Sequence, residues 1–177
     1  MTSAEMIQLS AQAIGLVACG VQISAIKIRN DKKSMLIISG AHLLFAVSFV
    51  MLGLVSGAML SIVAMAKILW MQFSKNGRSK RFSNYVWVEI FSAICISSVI
   101  VSYTMLQNGW VEIFPLGGVL LTLFGATCPK KPLAHSLMLA SSVFWLAYDI
   151  LGFAIGALIS EIISAVFHIK SILKNKY

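Results

Sequence analysis

Long apolar runs, each about the length of a bilayer-crossing helix and each closed by a short polar break, make up almost the whole chain. A hydrocarbon core of ~30 Å takes about 20 apolar residues as helix, so the pattern predicts about seven spans. They cover Gln8–Ile28, Ser34–Gly53, Gly57–Ser74, Ser83–Leu106, Trp110–Thr127, Leu133–Phe153 and Gly156–Leu173. A tight turn over Leu54–Ser56 separates the second span from the third, and the Gln107-Asn108-Gly109 cluster stops the fourth. Pro129 and Pro132 bracket Lys130 and Lys131 and end the fifth. The first run has no basic residue before it and no clear small-residue cleavage site, so it is expected to be a retained helix.

The two ends of the chain read as copies of one three-span unit. Gly53-Leu-Val-Ser-Gly57-Ala58 is echoed 99 residues on by Gly152-Phe-Ala-Ile-Gly156-Ala157, and Ile14-Gly15 is echoed 102 residues on by Leu116-Gly117. Three spans end on the side opposite to where they began, so a second copy in the same orientation needs one extra crossing between the two. The expected architecture is an all-α membrane protein of seven helices, 3+1+3, with parallel repeats about an axis along the membrane normal. Residues 8–74 form the first repeat, 75–106 the basic loop and linking helix, and 110–173 the second repeat.

Composition adds the solvent and charge adds the direction. With 59% hydrophobic and 11% charged residues and a mean hydropathy of +0.89, the chain is expected to be solvated by lipid. Net charge is +8, which in a soluble protein would suggest nucleic acid. Thirteen of the fourteen Lys and Arg residues instead fall in four clusters, near residues 27–33, 75–81, 130–131 and 170–176, at alternate breaks. By the positive-inside rule these breaks are cytoplasmic, the N-terminus is outside and the C-terminus inside, with no nucleic-acid partner. Cys19, Cys95 and Cys128 are isolated and fit neither a disulfide framework nor a metal site.

Gly40-Ala-His42-Leu-Leu-Phe45, Phe114-Pro115-Leu-Gly117-Gly118-Val119 with Leu123-Phe124, and Trp145-Leu-Ala-Tyr148-Asp149-Ile-Leu-Gly152 resemble the pattern of the YgjV family of bacterial inner-membrane proteins. The resemblance extends over nearly the whole chain and implies a multi-pass inner-membrane location. In architecture the chain is similar to the SWEET and PQ-loop transporters, which have a 3+1+3 topology with the N-terminus outside. It departs from the SWEET pattern in having one proline within a span, Pro115, and no asparagine in any span except Asn84 at an edge.

Polar side chains inside the spans are the candidate chemistry, because lipid penalises them unless they face a partner or a wet cavity. Lys67 is the sole basic residue within a span; it either snorkels to the inner interface or lines a pore. Asp149 near the end of the sixth span and Glu161 near the start of the seventh are expected at similar depth, where they could share a proton or bind a cation. Asp149 is also close enough to the span end to be simply solvated. Ser160, Glu161, Ser164 and His168 recur at helical spacing as a polar stripe, readable as interhelical hydrogen bonding or as a cavity wall. His42 could join that wall or be a packed histidine, whereas His135 is read at the lipid interface with no role. Trp145, one turn before Asp149, supplies an aromatic platform or an interfacial anchor.

No nucleophile-and-base arrangement, zinc spacing or glycine-rich phosphate loop is present, so an enzyme, a metal and a cofactor are not expected. The seventh span has no lysine placed for a retinal Schiff base. Two readings stand: a small-solute transporter working by alternating access at the repeat interface, and a non-transporting assembly or interaction protein whose polar residues only hold the bundle together. Partners are the bilayer and, in the first reading, a small polar solute.

Overall fold

The computed structural model describes residues 2–26, 28, 31–73, 109–128 and 130–174, with 90, 93, 94, 96, 97 and 100 between them. Among the described residues there are six α-helices: α1 (Ser3–Ile26), α2 (Asp31–Met51), α3 (Val55–Phe73), α4 (Ile113–Thr127), α5 (Lys131–Leu151) and α6 (Ile155–Lys174). A 3-10 turn over Gly109–Glu112 leads into α4. α1, α2, α5 and α6 are long and apolar enough to cross a membrane, over Ser3–Ala25, Lys33–Met51, Pro132–Leu151 and Ile155–Lys174. α3 and α4 carry shorter apolar segments, Val55–Trp70 and Ile113–Gly125. The expected fourth span and the cations of 75–81 lie outside the described residues, apart from six helical positions between 90 and 100.

Helix ends differ from the hydropathy reading because caps are polar. α1 starts at Ser3, five residues before the apolar run, since Thr2 and Glu5 bond each other's backbone reciprocally: Thr2 N–H donates to Glu5 Oε2 (2.8 Å) and Glu5 N–H to Thr2 Oγ1 (3.3 Å). Pro115, buried, falls in the first turn of α4, where its missing N–H breaks no helical bond.

The helices form a closed ring. α1 packs on α2, α2 on α3, α4 on α5 and α5 on α6, and the ring is completed by α1 against α6 and α3 against α4. Gln12 of α1 donates to Phe153 O and accepts from Ile155 N–H (3.0 Å), while further along Gln22 accepts from Ser160 (3.0 Å), so α1 and α6 run in the same direction. They cross at two glycines. A Cβ on Gly156 would strike the backbone of Gly15, so position 156 admits only hydrogen at this separation, whereas a Cβ on Gly15 would press only on Ser48 Oγ, at 3.1 Å. Across the ring, Tyr148 of α5 reaches the first turn of α3, where its hydroxyl meets Ser56 Oγ (3.0 Å) and accepts from Gly57 N–H (3.1 Å), filling one of the donors a helix start leaves unpaired. The Tyr148 ring occupies the space of a Gly57 side chain, 2.7 Å from where a Cβ would stand.

The two tight turns have one hydrogen-bond pattern. In the first, Leu52 N–H bonds Ser48 O, Gly53 bonds Val50 O and Leu54 bonds Phe49 O; in the second, Gly152 bonds Tyr148 O, Phe153 bonds Ile150 O and Ala154 bonds Asp149 O. The structural register is therefore 100 residues, one more than the glycine match suggests: Gly53 (φ 75°) corresponds to Phe153 (φ 51°), not to Gly152 (φ −88°).

Large apolar side chains such as Leu9, Val17, Val50, Val143 and Ile150 point outward, while Ser39, Ser48, Ser61, Ser141, Ser142 and Asp149 are buried within. A soluble protein has the reverse distribution. The outer surface suits lipid, and the polar groups face inward.

Candidate functional site

A cavity of about 340 Å³ lies within the ring. It is walled by side chains of every described helix, among them Gln22 of α1, Phe45 of α2, Lys67 of α3, Thr122 of α4, Trp145 of α5 and Ser164 of α6. All eight residues singled out from the sequence line it: His42, Lys67, Trp145, Asp149, Ser160, Glu161, Ser164 and His168.

The polar stripe of α6 faces this space. Ser160 is buried at the α1 contact, and Glu161, Ser164 and His168 follow it along one wall. Glu161 and Asp149, which flank one hairpin, line the same cavity. Asp149 is only two residues from the end of α5 yet 1% exposed, so the solvated reading fails. The cause is packing: α5 turns this face inward, with Tyr148 beside it fully buried. Neither Asp149 oxygen has a hydrogen-bond partner among the described residues.

Trp145 is placed by a glycine. Its indole lies against α4 where a Cβ on Gly118 would come within 2.6 Å of Nε1, and Phe144 sits in the same way on Gly117. Trp145 and Tyr148 then meet edge to face at 6.1 Å, and Phe49 meets Tyr148 edge to face at 6.1 Å. Opposite, Ser141 donates to Gly118 O (2.6 Å) and shares a hydrogen bond with Thr122 (2.7 Å), so these two hydroxyls are committed to α4–α5 packing as well as lining the cavity.

The sequence missed several wall residues. Gln22, Ser61, Thr122 and the adjacent Ser141 and Ser142 are uncharged polar positions in otherwise apolar runs, and a hydroxyl in a span usually satisfies a neighbouring carbonyl. His135, read as an interfacial residue without a role, instead packs on His168, with Nδ1 to Nδ1 at 3.2 Å and Phe167 alongside both rings. The spacing signal was absent because the two histidines belong to different helices. Among the described residues no group of three His, Cys, Asp or Glu side chains is arranged to hold a metal ion.

An apolar exterior, several helices long and apolar enough to span, and an interior cavity carrying polar side chains define a polytopic membrane protein. Its chain belongs to the Imp-YgjV family of bacterial inner membrane proteins, whose model matches residues 9–176. No curated protein and no solved structure matches it.

Proposed function

We propose that this protein is a carrier of a small polar solute, built as a 3+1+3 bundle, which exposes the cavity alternately to the two sides of the bacterial inner membrane. The observation that carries the reading is that one cavity, walled by both three-helix groups, gathers all eight polar and aromatic candidates. Packing alone would pair such residues with neighbours and leave no common space. The parallel course of α1 and α6 supports repeats in the same orientation, because in an inverted pair those helices would run oppositely. The turns matched at 100 residues support the same plan. In this plan the expected fourth span is the linker that lets the second copy enter right way up, and the cation clusters keep the C-terminus cytoplasmic.

The halves meet along α1 and α6, where the glycine crossing is flanked by the Gln12 and Gln22 hydrogen bonds, and on the other side through the Tyr148 hydroxyl. Such contacts can act as pivots while each three-helix group moves as a body. Lys67 and Glu161 contribute charge from opposite halves to the same space, and the solute passes between them.

The test is flux. Reconstituted protein is loaded with a panel of small polar solutes and counterflow is measured for wild type and Glu161→Gln. The reading expects accelerated exchange of at least one solute, changed several-fold by the substitution with folding intact. Exchange no faster than in protein-free vesicles across the panel would favour an assembly or interaction protein.

A further inference from the structure

We propose that the Asp149 end of the cavity is a binding site for a small organic cation, an ammonium group on a compact apolar body. This deepens the carrier reading by naming the substrate class, and rests on the cavity being a solute site. Asp149 is 1% exposed, lines the cavity and has no hydrogen-bond partner among the described residues for either oxygen. A buried carboxylate without a donor is unfavourable, and a second carboxylate, Glu161, lines the same cavity. An ammonium brings N–H donors and a positive charge together.

Size and surroundings separate an organic cation from a bare ion. The cavity of about 340 Å³ is far larger than the ~30 Å³ share of one water in the liquid, and sits at the small end of ligand pockets. Its wall is partly aromatic: Trp145, one turn before Asp149, and from α2 Phe45 and Phe49, stacked at 6.4 Å. Aromatic faces attract cations and accept hydrocarbon, whereas a desolvated alkali ion requires a shell of oxygens.

The full chain in lipid nanodiscs is titrated calorimetrically with n-butylammonium chloride. Saturable binding is expected, weakened tenfold or more by Asp149→Asn and less by Glu161→Gln. Uncharged 1-butanol, with the same number of heavy atoms, should not bind saturably, and equimolar sodium chloride should not displace the amine. The proposal is overturned if Asp149→Asn with an unchanged melting temperature binds as wild type does, if 1-butanol binds as tightly, or if sodium competes. Should Asp149→Asn fail to fold, the wild-type comparison of amine with alcohol decides. Exchange of neutral or anionic solutes without amine binding overturns the ligand class and leaves the carrier. Amine binding without exchange of any solute, amines included, overturns the carrier and leaves the site.

Discussion

Replacing Gly156 by alanine should force the two halves apart at one pivot. The added Cβ would lie 2.5 Å from Leu16 N and closer still to the Gly15 carbonyl, both backbone atoms that cannot rotate away. Restoring ordinary contact requires α1 and α6 to separate by roughly 1 Å, an overpacking cost of ~1–3 kcal/mol. Alanine's better helix propensity returns at most ~1 kcal/mol, so the net destabilisation is about 1–2 kcal/mol. The internal control is Gly20→Ala in α1, where a Cβ meets nothing within 4 Å among the described residues. There only the propensity gain of ~0.5–1 kcal/mol is left. Thermal unfolding in nanodiscs reads both, at roughly 2–4 °C per kcal/mol for a chain of this size. Gly156→Ala should melt below wild type and Gly20→Ala at or slightly above it. A Gly156→Ala protein as stable as the Gly20→Ala protein would refute the close crossing of α1 and α6.

Phe153 holds a left-handed φ of 51° while 73% exposed, so Phe153→Gly should stabilise by about 1 kcal/mol, and Gly53→Ala should destabilise by a similar amount; equal melting temperatures for both would contradict the matched turns. Tyr148→Phe removes the hydroxyl that Gly57 N–H and Ser56 use, and should cost ~1–3 kcal/mol by leaving buried donors unpaired, measured by the same unfolding. For topology, cysteines at Asn108 and at Phe153, which is exposed in its turn, should react with an impermeant thiol reagent in intact cells, and those at Asn30, Asn76 and Lys130 only after lysis. Labelling of Asn76→Cys in intact cells would reverse the orientation.

Four of the spans, those of α1, α2, α5 and α6, were legible because lipid leaves the sequence little freedom: a run of apolar residues is the only way to cross. Their ends were less so, since a cap such as Thr2 with Glu5 is polar and precedes the run it starts. The candidate wall was legible for the same reason as the spans: Lys67, Glu161 and Asp149 have no acceptable place in lipid, so the interior was the place to look. Serines gave no such signal, and Ser61 and Ser142 were found only in three dimensions. Glycine identity misled by one residue, because the turn demands a positive φ, which Phe153 supplies in the second turn. Gly15 and Gly156 were visible as repeat markers, but that they touch each other depends on which helices neighbour in the ring.

The central claim is that the cavity is reached in turn from the two sides of the membrane. In a protein with its native cysteines replaced, Ser164→Cys on the cavity wall is exposed to an impermeant thiol reagent from the outside of cells and, separately, from the inside of inverted vesicles. The account predicts labelling from each side, protected by bound solute. A thiol that reacts from neither side in folded protein, while the exposed turn position Phe153→Cys reacts fully, would contradict it.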